Sequence, residues 1–200
     1  MTTTTFTAKD VAELRQRTGA GMMDCKKALE ENKGDIEKSV EYLRTKGIAK
    51  AEKRTGKATS EGAVNSYIHH NGRIGVLVEV NCETDFVART EDFQQLVRTI
   101  AEHIAAAAPL GVDKSEVPAE AVDRERRIAE EQARASGKPD AIVQKMVEGK
   151  VESFYKEVVL MSQPWIREPK KTIADLVKET SSKVGENIQV RRFARFQLGE

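Results

Sequence analysis

The chain has 200 residues, and its 33 Lys+Arg nearly balance 32 Asp+Glu, leaving a net charge of +1 at pH 7. That balance lacks the basic footprint of a protein that neutralises many phosphates, so direct nucleic-acid binding is not expected. Two Cys far apart argue against a disulfide framework and for a reducing compartment.

No run approaches the ~18 apolar residues of a membrane span, and Met1 to Phe6 lacks the charged and apolar regions of a secretory leader. A soluble, cytoplasmic chain with no membrane partner is expected, built as one large domain or two to three small modules. The charged fraction, 32%, exceeds that of an average globular protein and points to long solvent-washed helices.

Residues 7–47 predict three short helices. Thr7 is placed as N-cap of the first, with Asp10 three positions on in a capping-box arrangement, and Val11 and Leu14 mark its buried face. Thr18-Gly19-Ala20-Gly21 breaks it. Met22 to Asn32 forms the second, with Cys25, Ala28 and Leu29 at helical spacing and Gly34 as its C-terminal cap. Asp35 caps the third, whose Ile36, Val40 and Leu43 fall at i, i+4, i+7, and Gly47 ends it. Three such helices enclose only a marginal core, which suits a small docking module. Lys50 to Lys57 then reads as a basic, core-free tether. A solvated linker is its default and a phosphate or ribosomal RNA contact its functional alternative.

Two strands follow. Val64, Ser66 and Ile68 alternate with Asn65, Tyr67 and His69, and Asn71-Gly72 supplies a two-residue hairpin turn. The return strand puts Ile74, Val76, Val78 and Val80 on one face. Asn81-Cys82-Glu83-Thr84-Asp85-Phe86-Val87 makes a polar, carboxylate-bearing turn with an aromatic at its tip. A helix from Glu91 to Ala107 carries Phe93, Leu96, Val97, Ile100 and Ile104 as one apolar stripe, and Pro109 stops it.

Pro118 to Ala135 is rich in charge, with Val122, Ile128, Ala129 and Ala133 as a thin seam. Ser136 to Pro139 is a turn, and Asp140 caps a returning helix. Val143, Val147, Val151, Phe154, Val158 and Met161 alternate along it at spacings of three and four, a coiled-coil habit. The two helices are expected to lie antiparallel and to project from the body. Gln163 to Pro169 is an irregular return. Thr172 caps a helix holding Ile173, Leu176 and Val177, with Asp175 three residues on and Gly185 closing it. In the final strand Ile188, Val190, Ala194 and Phe196 alternate with Gln189, Arg191, Arg195 and Gln197. Three strands leave exposed edges, which favours a homodimer through this region; edge protection by Arg191, Arg192 and Arg195 is the alternative.

The expected class is α+β: a small antiparallel three-stranded sheet with packed helices, an N-terminal three-helix module and a protruding helical hairpin. The expected boundaries are 1–49 for the module, 50–62 for the linker and 63–116 for the core hairpin, turn and helix. The helical hairpin takes 117–162, and 163–200 completes the core.

No catalytic constellation stands out, so no enzyme is expected. Cys82 with His69 or His70 lacks a third orienting group, which leaves a half-buried thiol and two surface imidazoles. Glu79, Glu83 and Asp85 are without the helical His spacing or Asp-x-Asp loop of a metal site, and neither metal nor cofactor is expected. Thr18 to Gly21 resembles an anion nest without the Lys and preceding strand of a phosphate loop. Two features stand apart. Met22 and Met23 open a helix at adjacent positions that cannot both face the core, so either one meets a partner or both fill gaps. Phe86 either packs down on Phe93 or Val97 as a staple or faces outward.

At these residues the chain resembles the elongation factor Ts family. The run from Leu14 and Arg15 through Gly19-Ala20-Gly21-Met22-Met23-Asp24-Cys25 to Leu29 matches the family's first signature, and Glu79 to Ala88 matches its second. Ser136 to Pro139 with Lys145 to Lys150, and Gln163-Pro164 with Glu168 to Thr172, fit as well. The resemblance covers nearly the whole chain. It implies a guanine-nucleotide exchange factor for elongation factor Tu, making and breaking no bonds. It further implies a ubiquitin-associated-like N-terminal module docking on the GTPase domain through Arg15, Met22 and Met23. The turn of Thr84, Asp85, Phe86 and Val87 would enter near the partner's magnesium and phosphate site. A coiled-coil hairpin would lie along that domain, and the core would touch the partner's other domains. The longest members carry a duplicated core sheet; with one sheet here, dimerisation is implied as the substitute.

Overall fold

A computed structural model of the chain describes residues 6–135 and 137–200, with all their side chains but those at 48 and 50–53. The leader expectation for Met1–Thr5 and the turn position Ser136 therefore lie outside the described residues. Internal contacts divide the chain into two compact units. The first holds the described part of Met1–Gly62 with Cys82–Phe93 and Val177–Gln189; the second holds Ala63–Asn81, Gln94–Leu176 and Val190–Glu200.

In the first unit, α1 (Ala8–Thr18) starts at Thr7, whose hydroxyl and N–H form the reciprocal capping pair with Asp10. Gly19 ends it in the left-handed region at φ 68°, where the missing Cβ removes the usual penalty. α2 (Met22–Glu31) has Asn32 as its C-cap; Gly34, at φ 84°, returns its N–H to the Leu29 carbonyl at 2.8 Å. The helices enclose Val11, Leu14, Cys25, Ala28, Leu29 and Leu43. Ser39, buried among them, donates to the Ala28 and Asp35 carbonyls, which removes the cost of an unpaired hydroxyl.

The third helix differs from its expected end. α3 (Ile36–Arg54) runs through Gly47 and on through Lys50–Arg54 of the expected tether. A glycine stops a helix when it turns left-handed; Gly47 keeps helical backbone and does another job. A Cβ there would lie 1.9 Å from the Ser182 Oγ and 3.1 Å from its Cβ, so Gly47 marks a close approach to α8 (Ile173–Val184). Arg44 pairs with Glu179 along the same side at 2.8 Å.

The second unit is built on a three-stranded sheet of β1 (Glu61–Ile68), β2 (Ile74–Cys82) and β5 (Ile188–Gln197), with β2 in the centre. Val76, Val78 and Val80 of β2 are buried, as is the stripe Leu96, Val97, Ile100 and Ile104 on α5 (Glu91–Ala107). Arg195 of β5 donates to the Ala105 carbonyl near the end of α5, so the helix covers that face. Arg192 pairs with Glu79 across the strands at 2.7 Å. The β1–β2 turn is wider than expected: His69 N–H reaches Ile74 O, leaving four residues between. Asn71 turns its carbonyl onto the Arg73 N–H, and this side-chain bond takes the place of a tight two-residue closure.

α6 (Ala119–Ala135) and α7 (Asp140–Val158) run back along each other. Their seam is Val122, Ala129 and Ala133 against Val143, Val147 and Val151, and Lys114 anchors the base to Glu152 at 2.7 Å. Pro139, not Asp140, is the N-cap of α7, without a side-chain cap bond; Asp140 sits in the first turn, where its charge suits the helix dipole. The return that looked irregular contains a small antiparallel pair, β3 (Pro164–Trp165) and β4 (Glu168–Thr172). Gln163 holds it in place. Its amide pairs with the buried His103 ring at 3.0 Å and donates to the Ala107 and Glu157 carbonyls. Burial lowers the pKa of His103, and the ring's other nitrogen accepts from Ile166 N–H. Thr172 and Asp175 form the expected reciprocal cap on α8, and Gly185 ends that helix at φ 78°.

Candidate functional site

The stretch after β2 stays inside the first unit and is tied down by two carboxylates. Glu83 accepts a bidentate bond from Arg54, at 2.9 and 2.8 Å, and a third from the Asn187 N–H at 2.7 Å. Arg54 first, then the Asn187 amide, hold the Glu83 carboxyl down at about 2, so it is ionised throughout the neutral range. Glu186 works in the opposite direction along the chain. Its carboxylate accepts from the N–H groups of Glu83 and Thr84, at 3.1 and 3.0 Å, and from the Thr84 hydroxyl at 2.7 Å.

On this base stands α4 (Asp85–Ala88), a single helical turn where a polar, carboxylate-bearing turn was expected. Thr84 is its N-cap, with its hydroxyl accepting from the Val87 N–H. Val87 and Ala88 point down and are buried, while Phe86 at the tip is 79% exposed. The ring is therefore not a staple: four helical residues have one inward side, and Val87 and Ala88 fill it. Asp85 lies at the surface and pairs with Arg89 at 2.7 Å.

An open cleft of about 610 Å³ lies beside this turn. Arg15, Gly19 and Met22 line it together with Val87, Thr90 and the Asp92–Lys183 ion pair. The two Met side chains both face out, Met22 at 48% and Met23 at 75% exposure, so neither fills the core. The fold thus brings Arg15 and Met22 to the same cleft as Val87, although some 65 residues separate them in the chain.

The rival chemistries find no assembled site. The Cys82 thiol is buried and donates to the Thr84 carbonyl at 3.2 Å; burial first, then the Glu186 carboxylate, push its pKa up to about 11, far from a thiolate nucleophile. His69 bonds to the Tyr67 hydroxyl, and its ring lies against that of His70 at a tilt of 60°. Glu79, Glu83 and Asp85 are each paired with a different arginine. Among the described residues no three His, Cys, Asp or Glu gather closely enough to hold a metal ion, and no described helix is long and apolar enough to cross a membrane.

Arg54, Glu186 and Asn187 did not stand out in the sequence. The one signal was charge: Arg54 in a basic run taken for a tether, and Glu186 directly after a helix-closing glycine.

Comparison with known proteins decides the family. The family described as Elongation factor TS matches residues 3–200. The chain belongs to the elongation factor Ts family. It is 57% identical over 195 residues to elongation factor Ts of Geobacter sulfurreducens, covering 98% of this chain and 90% of that protein. Elongation factor Ts of Anaeromyxobacter sp. (strain K) is 60% identical, with 98% and 89% covered. That of Syntrophomonas wolfei is 56% identical, with 98% and 91% covered. Membership of the elongation factor Ts family gives the chain a role in translation elongation.

Proposed function

We propose that this protein is the guanine-nucleotide exchange factor for elongation factor Tu, and that it acts by presenting Phe86 to the partner's magnesium and phosphate site. The exposed ring on a capped, doubly anchored turn is the observation that carries this reading. Magnesium bound to a nucleotide demands near-octahedral oxygen geometry, so a small shift of its ligands loosens GDP. Seating a Phe side chain in an apolar cleft stabilises the opened state by about 1.5–3 kcal/mol. The coupling is reciprocal: nucleotide weakens the factor's binding by the same ratio that the factor weakens the nucleotide's. Thr84, Asp85 and Val87 shape the wedge, and Arg15, Met22 and Met23 dock the N-terminal module, which acts as a ubiquitin-associated-like domain. The α6–α7 hairpin serves as a coiled-coil arm along the partner. No bond is made or broken, no cofactor or nucleic acid takes part, and the work is done in the cytoplasm.

The second part of the proposal is a homodimer. The sheet face turned away from α5 exposes Val64 and Ile68 of β1, Leu77 of β2 and Phe196 of β5. An apolar patch on one sheet face supports association with the same face of a second copy. Sedimentation of the wild type and of Ile68→Lys tests it; a monomeric wild type refutes it.

The deciding experiment for exchange is release of fluorescent GDP from purified elongation factor Tu with and without this protein. Acceleration that saturates with protein concentration is expected. An unchanged rate would sink the reading and leave a plain adaptor in its place.

A further inference from the structure

We infer that Glu186 and Arg54 are positioning residues that hold the Phe86 turn at a fixed angle, an inference that rests on the exchange reading above. A four-residue helix has too few internal bonds to set its own direction, so α4 takes its direction from its anchors. Glu186 supplies three of them, on the two N–H groups and the hydroxyl that precede Asp85. The hydroxyl is the junction. Thr84 gives its proton to Glu186 and uses a lone pair for the Val87 N–H, so the helix cap is oriented by a side chain 102 residues further along.

Arg54 completes the arrangement. Glu83 and Glu186 bring two negative charges to one small region, and the guanidinium of Arg54 interacts with both while bonding Glu83 twice. The Glu83 side chain is only 14% exposed, so its loss of water is compensated by Arg54 and by the Asn187 N–H. Arg54 is also the last residue of α3, whose first turns help to form the core of the N-terminal module. One continuous helix therefore runs from that module to the base of the wedge. Holding a side chain in its bound orientation before contact reduces the ordering cost on binding. The docking side chains Arg15, Met22 and Met23 are not members of this network, so first docking on the GDP-bound partner is spared and the loss falls on the opened, nucleotide-free complex and hence on release.

The test is a double-mutant cycle on GDP release from elongation factor Tu, using the full chain as wild type, Glu186→Ala, Phe86→Ala and the double variant. Glu186→Ala is expected to lower the saturating release rate about tenfold, equivalent to about 1.4 kcal/mol. The concentration giving half the effect is expected to move by less than about threefold on the same scale. In the Phe86→Ala background Glu186→Ala adds nothing, because there is no longer a ring to aim. Glu186→Gln, which keeps one acceptor, falls between wild type and alanine, and Arg54→Ala follows Glu186→Ala. If Glu186→Ala does not fold, as read by circular dichroism, the same cycle runs with Glu186→Gln and Arg54→Ala. Wild-type release rates in these variants overturn the inference. So does a loss of equal size with and without Phe86, which is the mark of a merely structural role. A wild type that fails to accelerate release removes the exchange reading itself, and the two failures are read from different arms.

Discussion

Phe86→Ala sets the turn's role in the fold against its role toward a partner. The ring is 79% exposed, so only about a fifth of its surface is at stake in folding. Full burial of a Phe side chain is worth about 1.5–3 kcal/mol, which puts the folding share near 0.5 kcal/mol on that scale. If the ring enters a cleft on the partner, nearly the whole 1.5–3 kcal/mol is lost there, slowing assisted release by about 10- to 100-fold. The expected result is a thermal unfolding midpoint close to wild type together with slow stopped-flow release of fluorescent GDP. First docking on the GDP-bound partner should persist, because Arg15, Met22 and Met23 remain, while affinity for the nucleotide-free partner falls by the ring's share. Wild-type release by the variant would refute the wedge. A large fall in midpoint would refute the step before it, that the ring stands free of its own fold.

Met22→Ala with Met23→Ala acts on the other half of the site and should raise the dissociation constant for nucleotide-free partner about tenfold. Isothermal titration reads it, and unaltered affinity would move the docking surface elsewhere. Gly47→Ala tests the close approach of α3 to α8. The substitution gains about 1 kcal/mol of helix propensity but places a Cβ 1.9 Å from the Ser182 Oγ. Overpacking of this kind costs about 1–3 kcal/mol, so a net loss is expected in the wild-type background and a gain with Ser182→Gly. A loss that survives Ser182→Gly contradicts the contact. Glu83 supplies the pH prediction. Its folded pKa of about 2 lies below the ordinary 4.5, so the unfolded chain binds the proton more readily and stability from this group rises with pH. That contribution is full above about pH 4.5 and is lost as pH falls toward about 2. The gap in unfolding midpoint between wild type and Glu83→Gln should shrink across that window; a gap that stays constant would assign the effect to other groups.

The sequence by itself determined what depends on near neighbours. Thr7 with Asp10 and Thr172 with Asp175 announce helix starts because a cap bond closes over three residues. The α5 stripe and the valines of β2 announce their buried faces because periodicity is local, and the family signatures around Met22 and Phe86 were legible for the same reason. Tertiary structure decided the rest. Gly47 is a contact point inside a helix only because Ser182 arrives there from far along the chain, and without that neighbour it looks like a terminator. Phe86 could have been a staple or an outward ring, and the choice fell when Val87 and Ala88 took the inner side of α4. Arg54 and Glu186 reach Glu83 and Thr84 across 29 and 102 residues. No local pattern carries a bond of that span, since the charges that make it are indistinguishable in sequence from those that face water.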